Sequence, residues 1–271
     1  MLNVWETWFL YLVIYSFIGW AYESTVCSVA ERKLVNRGFL NGPVCPIYGV
    51  GAVAVIALLN PLKDNILALF FSSATLTTAL EYVTSWLMET LLHARWWDYS
   101  NRLLNLHGRV CLKGFVVFGA LSVLMLRFVH PLVEGLVSHL PAPALHPICL
   151  TLLIILLADI FVTLKAVLHL PERLRQLKLA LDARLPDIRW PDGFQLKRLM
   201  NAFPHLTFPR YPEQWKALLR HYGRRISLPA RRRGAKKDGP GEAEPAKKKI
   251  EAISNIQSID KVSEERGLNQ K

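Results

Sequence analysis

Five nearly uninterrupted apolar runs, at about residues 7–29, 44–62, 66–92, 111–133 and 146–169, decide what this chain can fold into. A ~30 Å hydrocarbon core asks roughly 20 apolar residues of a helix rising about 1.5 Å per residue. A buried helix of a soluble domain could account for one such run, but not for five in succession. The chain therefore reads as an all-α, polytopic membrane protein with five transmembrane helices over residues 1–170.

Charge divides the 271 residues unevenly. Residues 1–170 carry 10 Lys/Arg against 9 Asp/Glu, and residues 171–271 carry 23 against 12. The basic character thus belongs to the tail, where anionic lipid headgroups are the nearest partner; nucleic acid is not expected. Among the short loops, Arg32, Lys33 and Arg37 follow the first run, Arg95, Arg102, Arg109 and Lys113 follow the third, and Arg173, Arg175 and Lys178 follow the fifth. The opposite loops hold only Lys63, next to Asp64, and the His130–Glu134–His139 region, with Arg127 able to snorkel outward. The positive-inside rule then predicts a cell-membrane protein with its N-terminus outside and its C-terminus cytoplasmic. No Lys or Arg precedes Arg32, so the first run reads as a retained helix rather than a signal peptide.

The membrane part repeats itself. Trp20-x-x-Glu23 recurs as Trp86-x-x-Glu89, and Leu40-x-Gly42-x-Val44-Cys45 as Leu106-x-Gly108-x-Val110-Cys111, both at an offset of 66 residues. Val50/Val116, Ala54/Ala120 and Leu58/Leu124 continue the register. The expected unit is a hairpin of span, inside loop and span, present as two parallel pseudo-symmetric copies, with the fifth span outside the symmetry. The irregular stretch NRGFLNGPVCPIYG (36–49) and its counterpart at 93–114 would then be equivalent inside loops. Non-helical backbone at that depth is tolerated where protein buries it or where it lines a wet cavity.

Four carboxylates fall within the apolar runs: Glu23, Glu81, Glu89 and Asp159. An acid in hydrocarbon costs about 2.5–3.5 kcal/mol on insertion scales, so it needs a partner or water. Glu81, Ser85 and Glu89 share one helical stripe, with Thr78 and Tyr82 alongside. Arg37, Arg95 and Arg109 are the candidate counter-ions. Two roles remain open for the acids, an ion or substrate path and a helix-packing network. Asn36, Arg37, Trp97, Asp98, Asn105 and Arg109 are the loop candidates for such a path. Trp96, Trp97 and Tyr99 are expected in an interfacial aromatic belt, with Asp98 ion-paired to Arg95 or Arg102. Cys27, Cys45 and Cys111 gather near the inside face with His93 and His107, but without metal-ligand spacing, so no metal or cofactor is expected.

YSFIGWAYES (15–24), NRGFLNGPVCPIYGVG (36–51), LEYVTSWLME (80–89) and ARWWDYS…NLHGRVCL (94–112) resemble the CmpB-type family of ABC-transporter permeases over about residues 11–135. The resemblance implies a multi-pass membrane protein of permease type and names no substrate. The sequence holds no G-x-x-x-x-G-K-[ST] phosphate loop and no EAA-x₃-G coupling loop, so an ATPase is expected as a separate chain.

The tail reads as two segments. Residues 171–228 form an amphipathic helical segment, suited either to the headgroup plane or to a small bundle, with Leu174, Leu177, Leu181 and Leu185 on one face of its first helix. Arg189-Trp190-Pro191-Asp192 and Arg210-Tyr211-Pro212-Glu213 each place Pro and then an acid at a helix start. Residues 229–271 are charged, rich in Gly and Pro, and expected to be disordered. Three functions remain: a permease subunit, a membrane scaffold or lipid-interaction protein, and a membrane-embedded enzyme using His107 or a carboxylate. The first is favoured, no catalysis is expected, and a homo-oligomer is compatible with it.

Overall fold

The computed structural model describes residues 4–32, 34–182 and 194–221. The expectations for the Arg189–Asp192 helix start and for residues 229–271 fall outside these residues. Among the described residues the chain is helical, with no strand: α1 Val4–Glu31, α2 Pro46–Leu59, α3 Ile66–Leu92, α4 Leu112–Leu124, α5 His130–Ser138, α6 Ala142–Leu168, α7 Leu170–Asp182, α8 Phe194–Ala202 and α9 Pro212–His221.

Four helices are long and apolar enough to cross a membrane: Val4–Glu31, Ile66–Leu92, Leu112–Ser138 and Ala142–Leu179. The chain is a multi-pass membrane protein. The second apolar run forms a shorter helix, Pro46–Leu62. At about 1.5 Å per residue it spans roughly 25 Å. Its limits have local causes. Cys45 is extended at φ −118° and Pro46 occupies the first turn, where a missing N–H costs nothing. Asn60-Pro61-Leu62 closes the other end as a 3₁₀ turn.

The Leu112–Ser138 helix contains a π-helical turn at Met125–Val129. Pro131 follows at once. Its ring would meet the carbonyl of residue 127 in a regular α-helix, and the wider turn removes that conflict.

α1 packs chiefly on α2 and α3 on α4, α2 bridges to α3, and α6 lies against α1. The apolar interior falls into two clusters. One lies within the bundle and includes Leu10, Tyr15, Val55, Leu69, Leu126, Val137 and Leu145. The other lies at the end carrying the loops 32–45 and 93–111, and joins Leu92, Ala94 and Trp96 to Leu170, Leu174, Leu199, Phe208, Trp215 and Leu218. The apolar faces of α7, α8 and α9 are therefore turned onto protein, the bundle alternative of the two that the tail pattern allowed.

Candidate functional site

Between the two hairpins lies a cavity of ≈530 Å³. Of the four intramembrane acids, Glu23 and Glu81 line it, together with Arg37, Trp97 and Tyr99 from the loops. The rest of its wall is largely apolar and aromatic, with Tyr22, Tyr48 and Phe118 prominent.

The helix stripe 81–85–89 splits between two environments. Glu81 is 6% exposed, and its Oε1 accepts the Tyr99 hydroxyl at 3.3 Å. Its Oε2 is buried and finds no hydrogen-bond partner, and no cation pairs with it among the described residues. Two turns on, Glu89 accepts from Arg95 Nη2 at 3.3 Å on one oxygen and from Arg109 Nη2 at 2.8 Å on the other. Glu89 lies outside the cavity wall.

On the first hairpin, Arg37 Nε donates to Glu23 Oε1 at 3.2 Å. Arg37 also donates to the Ala202 carbonyl and stacks 4.9 Å over the Phe203 ring. Both groups are only partly buried, and the extra partners of Arg37 help to hold the pair.

Asp159 holds loop 32–45 in place. Its Oδ1 accepts from Asn41 N at 2.9 Å and Asn41 Nδ2 at 2.7 Å, and its Oδ2 accepts from Gly42 N at 2.7 Å. Thr163 Oγ1 adds a fourth bond at 3.2 Å. A Cβ on Gly42 would stand 3.2 Å from the Asp159 carboxylate, so glycine is what allows the approach. From the other side Arg198 donates to three successive carbonyls, Gly38, Phe39 and Leu40, at 3.0, 2.6 and 2.7 Å. Burial pushes the Arg198 guanidinium down from its usual range, against the pull of Asp159.

Three expectations need correction. Trp96 is 3% exposed and packs edge-on against Phe39 and Phe203, at 5.1 and 4.9 Å, rather than lying in an interfacial belt. Trp97 donates to the Arg109 carbonyl at 2.9 Å and faces the cavity. The cause is common: α8 and the chain after it cover this loop, so its rings meet protein. Asp98 does not take Arg95, which turns to Glu89; it accepts from the Ser100 hydroxyl at 2.5 Å and the Ser100 N–H at 2.9 Å. Burial works against the charged form of Asp98, yet the Ser100 bonds, then Arg95 and His205, hold its carboxyl below the usual range.

The remaining loop candidates order the loops. Asn36 accepts from Trp20 Nε1 at 2.7 Å. Asn105 accepts from Gly108 N at 3.1 Å and donates to the carbonyls of Ser100 and Arg102. His107 meets the Tyr82 hydroxyl at 3.1 Å and is exposed. The four cysteines are free. Cys45 and Cys111 stand in equivalent places, each immediately before a helix, α2 and α4.

Arg198 is the important residue that the sequence pattern does not single out; Tyr99, expected in the aromatic belt, instead donates to Glu81. Arg198 sits in a basic amphipathic segment like several other arginines, and nothing local marks it as a ligand of residues 38–40.

With this geometry in hand, comparison with known proteins is informative at the level of family. The family model described as Putative ABC-transporter type IV matches residues 10–164 of the chain, more than half of its length. The match covers Asp159 and the cavity lining apart from Phe203. No curated protein and no solved structure matches the chain.

Proposed function

The chain belongs to the ABC-transporter type IV family that carries this description, and from that premise we propose that it is the membrane-spanning, permease-type subunit of a transport system. The observation that carries the reading is the cavity between the hairpins, whose wall has a buried carboxylate, Glu81, that the one lining arginine, Arg37, does not pair with. Intramembrane acids that lack a partner are costly and mark ion or solute paths.

In this reading the short helix Pro46–Leu62 is a fifth span. Its pairing with α1, and that of α4 with α3, makes two parallel hairpins related by a pseudo-twofold axis along the membrane normal. The shared offset of 66 residues supports this, as do the matching Cys45 and Cys111 helix starts and the ion-paired Glu23 and Glu89. The loop charges support an outside N-terminus and a cytoplasmic C-terminus in the cell membrane. The protein is no enzyme in this reading. It takes its energy from a separate ATPase chain, tolerates homo-oligomers and uses its basic tail against anionic headgroups.

A scaffold or lipid-interaction role is the second reading. It is favoured by one set of contacts: Glu23, Glu89 and Asp159 are all engaged in holding helices and loops together. Reconstitution in vesicles separates the two. The permease reading expects a solute flux, stimulated by the co-purifying ATPase, that Glu81→Gln abolishes while the protein stays monodisperse. Flux unchanged by Glu81→Gln, or an intact native complex without an ATPase and without flux, would favour the scaffold.

A further inference from the structure

Three residues of the cavity wall are themselves exposed: Ile18 and Tyr22 on α1 and Leu124 on α4, at 38, 40 and 50%. Ile18 and Tyr22 lie one helical turn apart and share a face. The principal neighbour of α1 is α2, and that of α4 is α3. The outer surface of these helices is apolar and meets lipid. An opening between α1 and α4 at these residues would therefore face hydrocarbon.

The charge inside is one-sided. Arg37, the cation in the wall, is engaged by Glu23, Ala202 and Phe203. Glu81 is left with one neutral hydroxyl partner. An anionic headgroup entering here would face two carboxylates and find no free guanidinium. A cation would find the uncompensated Glu81 in a wall that also holds the rings of Tyr22, Tyr48, Trp97 and Phe118. Aromatic faces attract cations most strongly where water is excluded, and a pocket of about 300–1,000 Å³ with apolar walls and few polar groups is the usual form of a small-molecule site.

We propose that this cavity binds lipophilic organic cations, which enter from the bilayer between α1 and α4 and place their charge against Glu81. The inference rests on the transport reading for its purpose, but binding does not require transport.

Binding can be tested with tetraphenylphosphonium and the protein in nanodiscs of zwitterionic lipid, reading tryptophan fluorescence against empty discs. Tetraphenylborate, nearly the same shape with the opposite charge, is the control. The expected result is saturable binding of the cation, no competition by the anion, and affinity about tenfold weaker in Glu81→Gln. Leu124→Trp, at an exposed position that folding tolerates, should slow association by narrowing the mouth. The proposal is overturned if the anion binds as well as the cation. It is equally overturned if a monodisperse Glu81→Gln protein binds the cation unchanged, or if neither variant alters binding. Charge-selective binding with no flux in vesicles would support the site while removing the transport reading. Flux of another solute without cation binding would do the reverse.

Discussion

Loop 32–45 takes most of its hydrogen bonds from groups outside itself, whereas loop 93–111 draws most of its own. In the first, Val35 N, Arg37 N and Cys45 N donate to Ser28, Ser24 and the Ser16 carbonyl of α1. Asp159 takes the N–H groups of Asn41 and Gly42, and Arg198 takes the carbonyls of residues 38–40. In the second, Tyr99 N bonds the Gly108 carbonyl at 2.7 Å, Leu106 N that of Val110 at 3.0 Å, and Asn105 ties three further backbone groups. A buried backbone group must be paired somewhere. A loop with turns of its own can do this locally, and a more extended one must be clamped from outside. The first loop should therefore fail when a distant residue is changed, and the second when its own turn chemistry is.

The sharpest way to break this contrast is Asp159→Ala. Several bonds to one carboxylate are lost at once, and a loss of about 3 kcal/mol is expected, since bonds to charged groups contribute roughly 1.5–3 each. Thermal unfolding in detergent should show it, and a near-neutral variant would mean that loop 32–45 holds itself. Arg198→Lys keeps the charge but cannot span three carbonyls. It should cost about 2 kcal/mol and expose residues 194–221 to trypsin faster than in the unchanged protein.

In the second loop, Gly108→Ala meets two obstacles. Its φ is +70°, and the added Cβ would lie 2.5 Å from Ser100 Oγ and 2.7 Å from Asp98 Oδ1. The expected cost is about 1–2 kcal/mol, read as a lower melting temperature with α8 still protected from protease. Asn105→Ala should cost about 1 kcal/mol. If it proved as damaging as Asp159→Ala, the two loops would not differ in kind. The smallest effect concerns pH. The Asp98 carboxyl lies below the usual range, so its contribution is complete above the ordinary carboxylate pKa of about 4. It is lost as pH falls through the lower folded value. Melting curves of the protein and of Asp98→Asn should differ at neutral pH and converge in acid; a gap that widened in acid would reverse the sign.

Local physics made much of this legible in advance. Run length marked the long helices, and the arginines expected as counter-ions stand beside Glu23 and Glu89. What stayed hidden was long-range. Trp96 reads as interfacial until α8 and the residues after it are known to cover it, and Arg198 reads as a surface cation until residues 38–40 are beneath it. Asp159 has the look of a transport acid because an unpaired residue and a clamp have the same one-letter code. Only the donors around them differ, and those come from segments more than a hundred positions apart.

The Arg198 clamp also has a consequence for how the protein is made. The carbonyls of Gly38, Phe39 and Leu40 leave the ribosome about 160 residues before the guanidinium that binds them. At roughly 5–20 residues per second this is a delay of about 8–32 s. Through that interval the first hairpin to enter the bilayer must wait with its loop unfinished, while later helices insert. The first segment synthesised is then among the last to reach its final form, and nascent chains stalled before residue 198 should carry a protease-sensitive site at residues 37–42.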